Sequence, residues 1–339
     1  MDRELKIVGG GIAGLSLGVA LSSRGIPVTV WEAGELPRHR VCGEFICGVR
    51  RETLENLGVA EDLSDALVHS AAVWKNGAGE DLYEGVLPRP ALGLSRNVLD
   101  LRLAERIRSN GGLVRIRERW RGNPLEEGIV MAGGRSAKRT EWMGHKIHVA
   151  GNLPSDLTLY LGEGGYVGLA PIEDGYWNLC GLFRKNPGVR AGKGEILRAY
   201  AEASGMDAVV ELIDESEVRQ GSAVSVAGVS FSFQSDHSGE MRLGDAWGVI
   251  PPFTGNGMSM AFESAELAVR PLEQWAHGEI EWCSAVDRVS RAHRKFLRKR
   301  FMTANLLHPI LLKPAGLRML AFLGRRKALP FRPLFALTH

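Results

Sequence analysis

Residues 36–48 read LPRHRVCGEFICG, and Cys42, Gly43 and Glu44 within them are the first residues whose types could do chemistry together. A cysteine attacks or binds as its thiolate, and Arg38, His39 and Arg40 just upstream are cations that could lower its pKa. Gly43 lets the backbone approach a flat ligand, and the Glu44 carboxylate can hold or move a proton. A second pair stands in GHKIHV. On a strand, Lys146 and His148 share one face, where they could orient an acidic substrate or carry a proton, while His145, Ile147 and Val149 take the other. Plain exposure to solvent is the competing reading of that face. Cys42, Glu44, Lys146 and His148 are therefore the catalytic candidates, and a plain turn is the alternative for Cys42-Gly43-Glu44.

Elements must carry these residues to a ligand, and the N-terminus supplies the first ones. LKIVGGGIAGLSLGVALSSRGIPVTVWEA has the order strand, glycine turn, helix, strand. Leu5 to Val8 is a short apolar run suited to a buried parallel strand. Gly9, Gly11 and Gly14 satisfy G-x-G-x-x-G: a tight turn, a close approach to pyrophosphate, and helix packing on strand. A helix over about 12–24 then offers its first amides, at Ile12 and Ala13, and its positive dipole end to the phosphates. Glu32 lies 18 residues past Gly14, with Ala33 after it, at a strand end where a carboxylate can accept from ribose hydroxyls. An ordinary βαβ unit with a glycine-rich turn is the alternative.

A second informative stretch is MRLGDAWGVIPPFTGNGMSMAFESAELAVRPLEQW, residues 241–275. It reads as a strand ending in Gly244-Asp245, a loop with prolines and glycines, and a helix over about 257–275. A strand-end carboxylate can bind polyol hydroxyls. A turn such as Gly255-Asn256-Gly257 opening a helix can aim amides at an electron-rich ring edge. Between the two stretches the pattern turns to strands: WMGHKIHVAG, LTLYLGEGGYVGLAPIEDGYWNLCGLFRK and VSVAGVSFSF alternate with period two. Glu173-Asp174-Gly175 marks a hairpin. Tyr160, Tyr166, Trp177, Phe183, Phe231 and Phe233 make this half apolar and aromatic, which suits a core and equally a lipophilic ligand.

The chain has 339 residues, 45% of them hydrophobic and 24% charged, as in a soluble globular protein of about two domains. No run of roughly 18 apolar residues and no signal-peptide pattern is present, so a cytoplasmic protein is expected. Cys42, Cys47, Cys180 and Cys283 show no zinc-ligand spacing and no disulfide framework. The formal net charge of +3 hides an asymmetry: residues 288–339 hold 13 Lys or Arg and no Asp or Glu. That tail is basic and amphipathic, and Pro309 and Pro314 should break or kink its helix. It suits an anionic membrane surface, on the inner face, or packing of its apolar side on the net-acidic remainder. No nucleic-acid recognition motif accompanies the charge.

The early G-x-G-x-x-G together with the late GDA…P…G-x-G resembles the FAD-dependent aromatic hydroxylase and geranylgeranyl reductase superfamily. The resemblance implies FAD as cofactor, with Asp245 at the ribityl chain and Gly244, Pro252, Gly255, Asn256, Gly257 and Met258 around the flavin. LSRNVLDLRLAERIRSNGG adds Arg96 and, less directly, Arg102 on the cofactor side. RHRVCGEF falls where the superfamily runs beside the flavin, which places Arg40, Cys42 and Gly43 there. A hydroxylase usually carries Asp-Gly after the third strand, whereas GIVMAGGRSAKRT has Gly133-Gly134-Arg135. NAD(P)H is the candidate electron donor, with Arg135, Lys138 and Arg139 as candidate contacts for its phosphate, or else a solvated basic turn.

The expected fold is α/β: a Rossmann-like FAD domain (1–70, 90–140, 235–280), an antiparallel substrate sheet (71–89, 141–234) and a helical basic extension (281–339). The expected activity is monooxygenation of a lipophilic aromatic or polyketide-like small molecule. A flavin-dependent C=C reductase resembling geranylgeranyl reductase, and a non-catalytic flavoprotein or lipid-binding scaffold, are the alternatives. The halogenase signature W-x-W-x-I-P is not found.

Overall fold

The computed structural model describes residues 2–135, 140–231, 239–326, 328 and 330–338, without the side chains of residues 325 and 334. Two sheets of opposite character organise it. The strands are β1 (Leu5–Val8), β2 (Val28–Glu32), β3 (Phe45–Ile46), β4 (Leu67–Asn76), β5 (Asp81–Gly93), β6 (Leu113–Ile116) and β7 (Ile129–Met131). There follow β8 (Trp142–Ala150), β9 (Leu157–Gly162), β10 (Gly165–Pro171), β11 (Trp177–Arg184), β12 (Glu217–Val218), β13 (Val224–Ala227) and β14 (Met241–Arg242). The helices are α1 (Ile12–Ser22), α2 (Arg51–Asn56), α3 (Arg96–Ser109), α4 (Ile196–Ala203) and α5 (Asp207–Asp214). The C-terminal part adds α6 (Gly257–Ala276), α7 (Trp282–Phe296), α8 (Arg298–Leu311), α9 (Pro314–Arg325) and α10 (Phe331–Thr338).

The first sheet is parallel, in the order β14-β7-β1-β2-β6. Order reverses at β1, so a crevice opens beyond the carboxyl ends of β1 and β7, where open α/β sheets bind ligands. All of α1 is buried, so it is apolar all round. It is covered by the sheet, α3 and α6. Gly18 makes this contact close, because a Cβ there would stand 2.7 Å from the Ile107 side chain.

The second sheet runs β12-β8-β11-β10-β9-β4-β5-β3, with β13 also on β8. Glu173, Asp174 and Gly175 form the turn between antiparallel β10 and β11, as their sequence suggested. The expectation of a purely antiparallel sheet is corrected at one place: β4 pairs with β9 in parallel. β4 and β5 come from an earlier stretch of chain, and no hairpin fixes their direction against β9. Phe45–Ile46 also joins this sheet, through β5, so it leaves the expected first-domain segment.

The tail is helical, and its breaks differ from expectation. Pro309 lies inside the last turn of α8, while Pro314 opens α9, where a fixed φ and a missing N–H cost little. The chain turns by 96° between them. The buried sides of α8 and α9 pack with Leu82, Leu161, Tyr166 and Leu182 of the second sheet.

Candidate active site

One cavity of about 1420 Å³ runs from the glycine turn of β1, past Cys42-Gly43, into a chamber between the second sheet and the C-terminal helices. Its first part is shaped by three glycines doing different things. Gly9 has φ +124°, and a Cβ on it would stand 2.2 Å from the Ala132 carbonyl oxygen. A Cβ on Gly14 would meet the Gly9 carbonyl oxygen at 2.1 Å, so this position is about packing. Gly11 is the open one, with only an Arg96 nitrogen at 3.9 Å. Backbone and helix N-terminus are thus bare where an anion could approach. Ile12 and Ala13 line the same wall.

Around this turn lies a charged network. Glu32 is buried, accepting from the Gly10 amide at 3.0 Å and the Gly34 amide at 2.7 Å. Arg38 and Arg40 each approach its carboxylate at 3.2 Å. Burial pushes its pKa up, but Gly34 and the two guanidinium groups outweigh that and hold it below the usual range. With four protein donors satisfied, Glu32 orders the turn at least as much as it offers itself to a ribose. Arg40 also bonds the Gly10 carbonyl at 2.8 Å and Asp100 at 3.0 Å. Asp100, fully buried, grips Arg96 in a fork of two 2.8 Å hydrogen bonds, so both arginines are fixed by one carboxylate. Asp100 was not singled out in the sequence, although its position four residues after Arg96 was the available signal.

Asp245 stands opposite, exposed to the cleft yet ringed by protein. Burial raises its pKa, tempered by Arg96 and Arg135. No described residue donates a hydrogen bond to its carboxylate. A hydroxylated chain lying in the cleft is the partner that group lacks. Gly244, with φ +56°, packs against Ala13 and does not line the cavity. Pro252, Gly255, Gly257 and Met258 do line it, as does Ala33. The fit to FAD is good on these observations: an open phosphate cradle at Gly11, an undonated carboxylate at Asp245, and a cavity long enough to continue past both.

Cys42-Gly43-Glu44 divides between cavity and core. Cys42 and Gly43 line the cavity, but Glu44, Lys146 and His148 do not. Each of these three is buried to within 1%. The Glu44 carboxylate accepts from Lys146 Nζ at 2.6 Å, from His148 Nε2 at 2.6 Å and from the Arg96 amide at 3.0 Å. Burial pushes Glu44 up, and the His148 hydrogen bond and Lys146 charge more than reverse it, so the carboxylate is ionised and His148 donates. Glu44 has φ +56°, a left-handed conformation that non-glycine residues adopt only when held. Here the hold is visible: its carbonyl accepts from Leu94, and the Cys42 carbonyl accepts from Asn178 at 2.9 Å.

Three expectations are corrected here. Lys146 and His148 share a face, but that face is neither solvent nor cavity wall. α4 and α5 cover the His145 side of β8, and the Cys42–Glu44 segment covers the other. Cys42 has no lowered pKa: burial raises it, opposed by Arg96, because Arg38 and Arg40 are spent on Glu32. His39 supplies no charge either, since burial and the positive charges of Lys146 and His148 push it down to about 4.

Other expected residues lie elsewhere. Asn256 is buried outside the cavity and donates to the Thr338 carbonyl, tying α10 down. Arg102 is on the exterior, forked onto Asp65. Arg135 lines the cleft but donates to the Gly228 carbonyl at 3.1 Å, which is not a solvated turn. Lys138, Arg139 and Phe233 lie outside the described residues.

The far chamber is aromatic. Phe331 stacks on Tyr83 at 4.4 Å and meets Trp74 edge-on at 5.9 Å, with Phe335 beside it. Phe45, Tyr166, Phe231 and Phe253 complete the apolar wall. Tyr166 is 3% exposed, and its hydroxyl makes no hydrogen bond to a described residue although the Phe253 backbone is near. The contribution of α10 to this wall was not read from the sequence, since FRPLFALTH carries no motif.

Comparison with known proteins agrees with this architecture. A family model for an NAD(P)-binding Rossmann-like domain matches residues 7–42. No curated protein sequence matches. Among solved structures, p-nitrophenol 4-monooxygenase PnpA of Pseudomonas putida superposes with a TM-score of 0.70 at 15% identity, covering 99% of both chains. HpxO of Klebsiella pneumoniae, complexed with FAD and uric acid, gives 0.74 at 17%, over 99% of this chain and 96% of its own. PqsL of Pseudomonas aeruginosa, described as a probable FAD-dependent monooxygenase, gives 0.70 at 15%, over 94% and 99%. This is the fold of FAD-dependent monooxygenases. Within that fold, the parallel sheet with its open glycine turn and the aromatic chamber under the second sheet are parts of one continuous cavity.

Proposed function

We propose that this chain is an FAD-dependent monooxygenase that hydroxylates a lipophilic aromatic or conjugated small molecule, with NAD(P)H as the reductant. The observation that carries the proposal is the single cavity joining a dinucleotide cleft to an aromatic chamber. FAD held at Gly11, Ala33, Arg40, Arg96 and Asp245 supplies oxygen activation. The ligands named for the neighbours, p-nitrophenol and uric acid, are flat and conjugated, as the chamber walls also favour.

This chain's own residues have three tasks. Cys42, Gly43, Pro252, Gly255, Gly257 and Met258 line the passage from cleft to chamber, and the buried Glu44 carboxylate fixes the position of Cys42-Gly43 by its bonds to β8 and α3. The aromatic walls exclude water, which protects reactive species from hydrolysis and loss. Tyr166 closes the wall with its ring, its hydroxyl lying buried behind it near the Phe253 backbone. The test is turnover of FAD-loaded protein with NADPH and a panel of lipophilic phenols and other flat conjugated compounds under isotopically labelled oxygen. Label in the product is the expected result. Equal product under argon contradicts it.

A further inference from the structure

The tail roofs the chamber with one face and leaves another uncovered. On α8 the buried residues are Phe301, Ala304, His308 and Leu311, at helical spacing. The opposite stripe is Met302, Leu306 and Ile310, exposed by 57%, 72% and 39%. On α9, Met319 and Phe322 are 47% and 53% exposed. Single exposed apolar residues are ordinary, but five on two adjoining helices make a surface that a soluble protein rarely leaves bare.

Charge says what covers it. Arg298 and Lys299 open α8, Lys313 stands at the bend, and Arg318 and Arg326 flank the apolar residues of α9, all exposed. Residues 288–339 contain no acidic side chain to attract a basic partner. Within the tail this apolar stripe is bordered only by cations, which makes it complementary to a surface that is greasy beneath and anionic at its rim. Geometry says the same. No single described helix is long and apolar enough to cross a membrane, and the 96° bend between α8 and α9 suits helices lying in an interface. Ile310 and Met319 belong both to this outer face and to the chamber lining, next to Leu307 and Leu323. The uncovered face and the chamber therefore meet.

We propose that α8 and α9 dock this protein on an anionic lipid surface and that its lipophilic substrate passes from the lipid into the chamber between them. Docking stands on these helices alone; only the nature of what passes rests on the proposed function. Attachment by helices lying in the interface is peripheral.

The test uses the full chain after incubation with FAD, sedimented with vesicles of phosphatidylcholine alone or mixed equally with phosphatidylglycerol. Binding is expected to the mixed vesicles only, and to weaken with salt. Leu306→Glu combined with Phe322→Glu touches neither cavity wall nor cofactor cleft, and should lower vesicle affinity at least about tenfold. Arg298→Gln and Lys299→Gln should each cost about fivefold. FAD content is read on the same samples, so a chain that takes no flavin ends the proposed function while the vesicle result stands. No sedimentation with either vesicle, or equal binding to both, overturns the docking proposal. So does a soluble dimer that Leu306→Glu converts to a monomer without changing vesicle binding, because a second copy then covers the stripe.

Discussion

Glu44 shows how one residue couples a strained backbone to a buried charge. Three donors and a left-handed φ place it where neither removal nor neutralisation is neutral. Lys146→Met leaves a buried carboxylate short of its cation and should cost about 3–5 kcal/mol in urea unfolding. A loss below about 1 kcal/mol would show that Lys146 does not hold this segment. Because the folded pKa of Glu44 is lowered, its contribution is present at neutral pH and is lost as pH falls through that lowered value. Tyr166→Phe is the complementary case. The Tyr166 hydroxyl is shut off from the cavity, so the substitution should leave FAD content unchanged and KM within about twofold. A rise in KM of about tenfold would show that the hydroxyl reaches substrate. The shared face of Lys146 and His148 was legible in the sequence, because strand periodicity is local. Their partner was not, because Glu44 lies 102 and 104 residues away and no periodicity spans that distance.

At the scale of elements, the glycine turn separates binding from packing. Gly11→Val should fold with near-normal thermal stability and lose FAD, since only Arg96 stands near its Cβ. Gly14→Val should lose both, because its Cβ would sit 2.1 Å from a carbonyl oxygen. Equal melting temperatures for the two variants would contradict this division. The strand–turn–helix–strand order, the helix after Asn256 and the β10–β11 hairpin could all be read locally from glycine spacing, period-two alternation and turn residues. The parallel β4–β9 pairing and the break between α8 and α9 could not, for they depend on what lies alongside. Glu32 is an intermediate case: its place at the end of β2 was readable, but its filling by Arg38 and Arg40 was not.

Across the whole molecule, burial of histidine predicts acid sensitivity. Burial pushes His145, His293 and His308 from the ordinary 6.5 to about 4, and His39 with them. The unfolded chain then binds more protons between those values, so stability should fall as pH drops from about 6.5 towards 4. A urea midpoint unchanged between pH 7 and pH 5 contradicts this. The cavity that joins the two sheets should hold flavin. The most direct measurement is a titration of the flavin-free protein with FAD, followed by flavin fluorescence, for the native chain and for Asp245→Ala. Saturable uptake of one FAD per chain is expected, weakened about 10–100-fold by the substitution, the worth of a hydrogen bond to a charged group. No uptake by the native chain, or equal affinity in the variant, would contradict it.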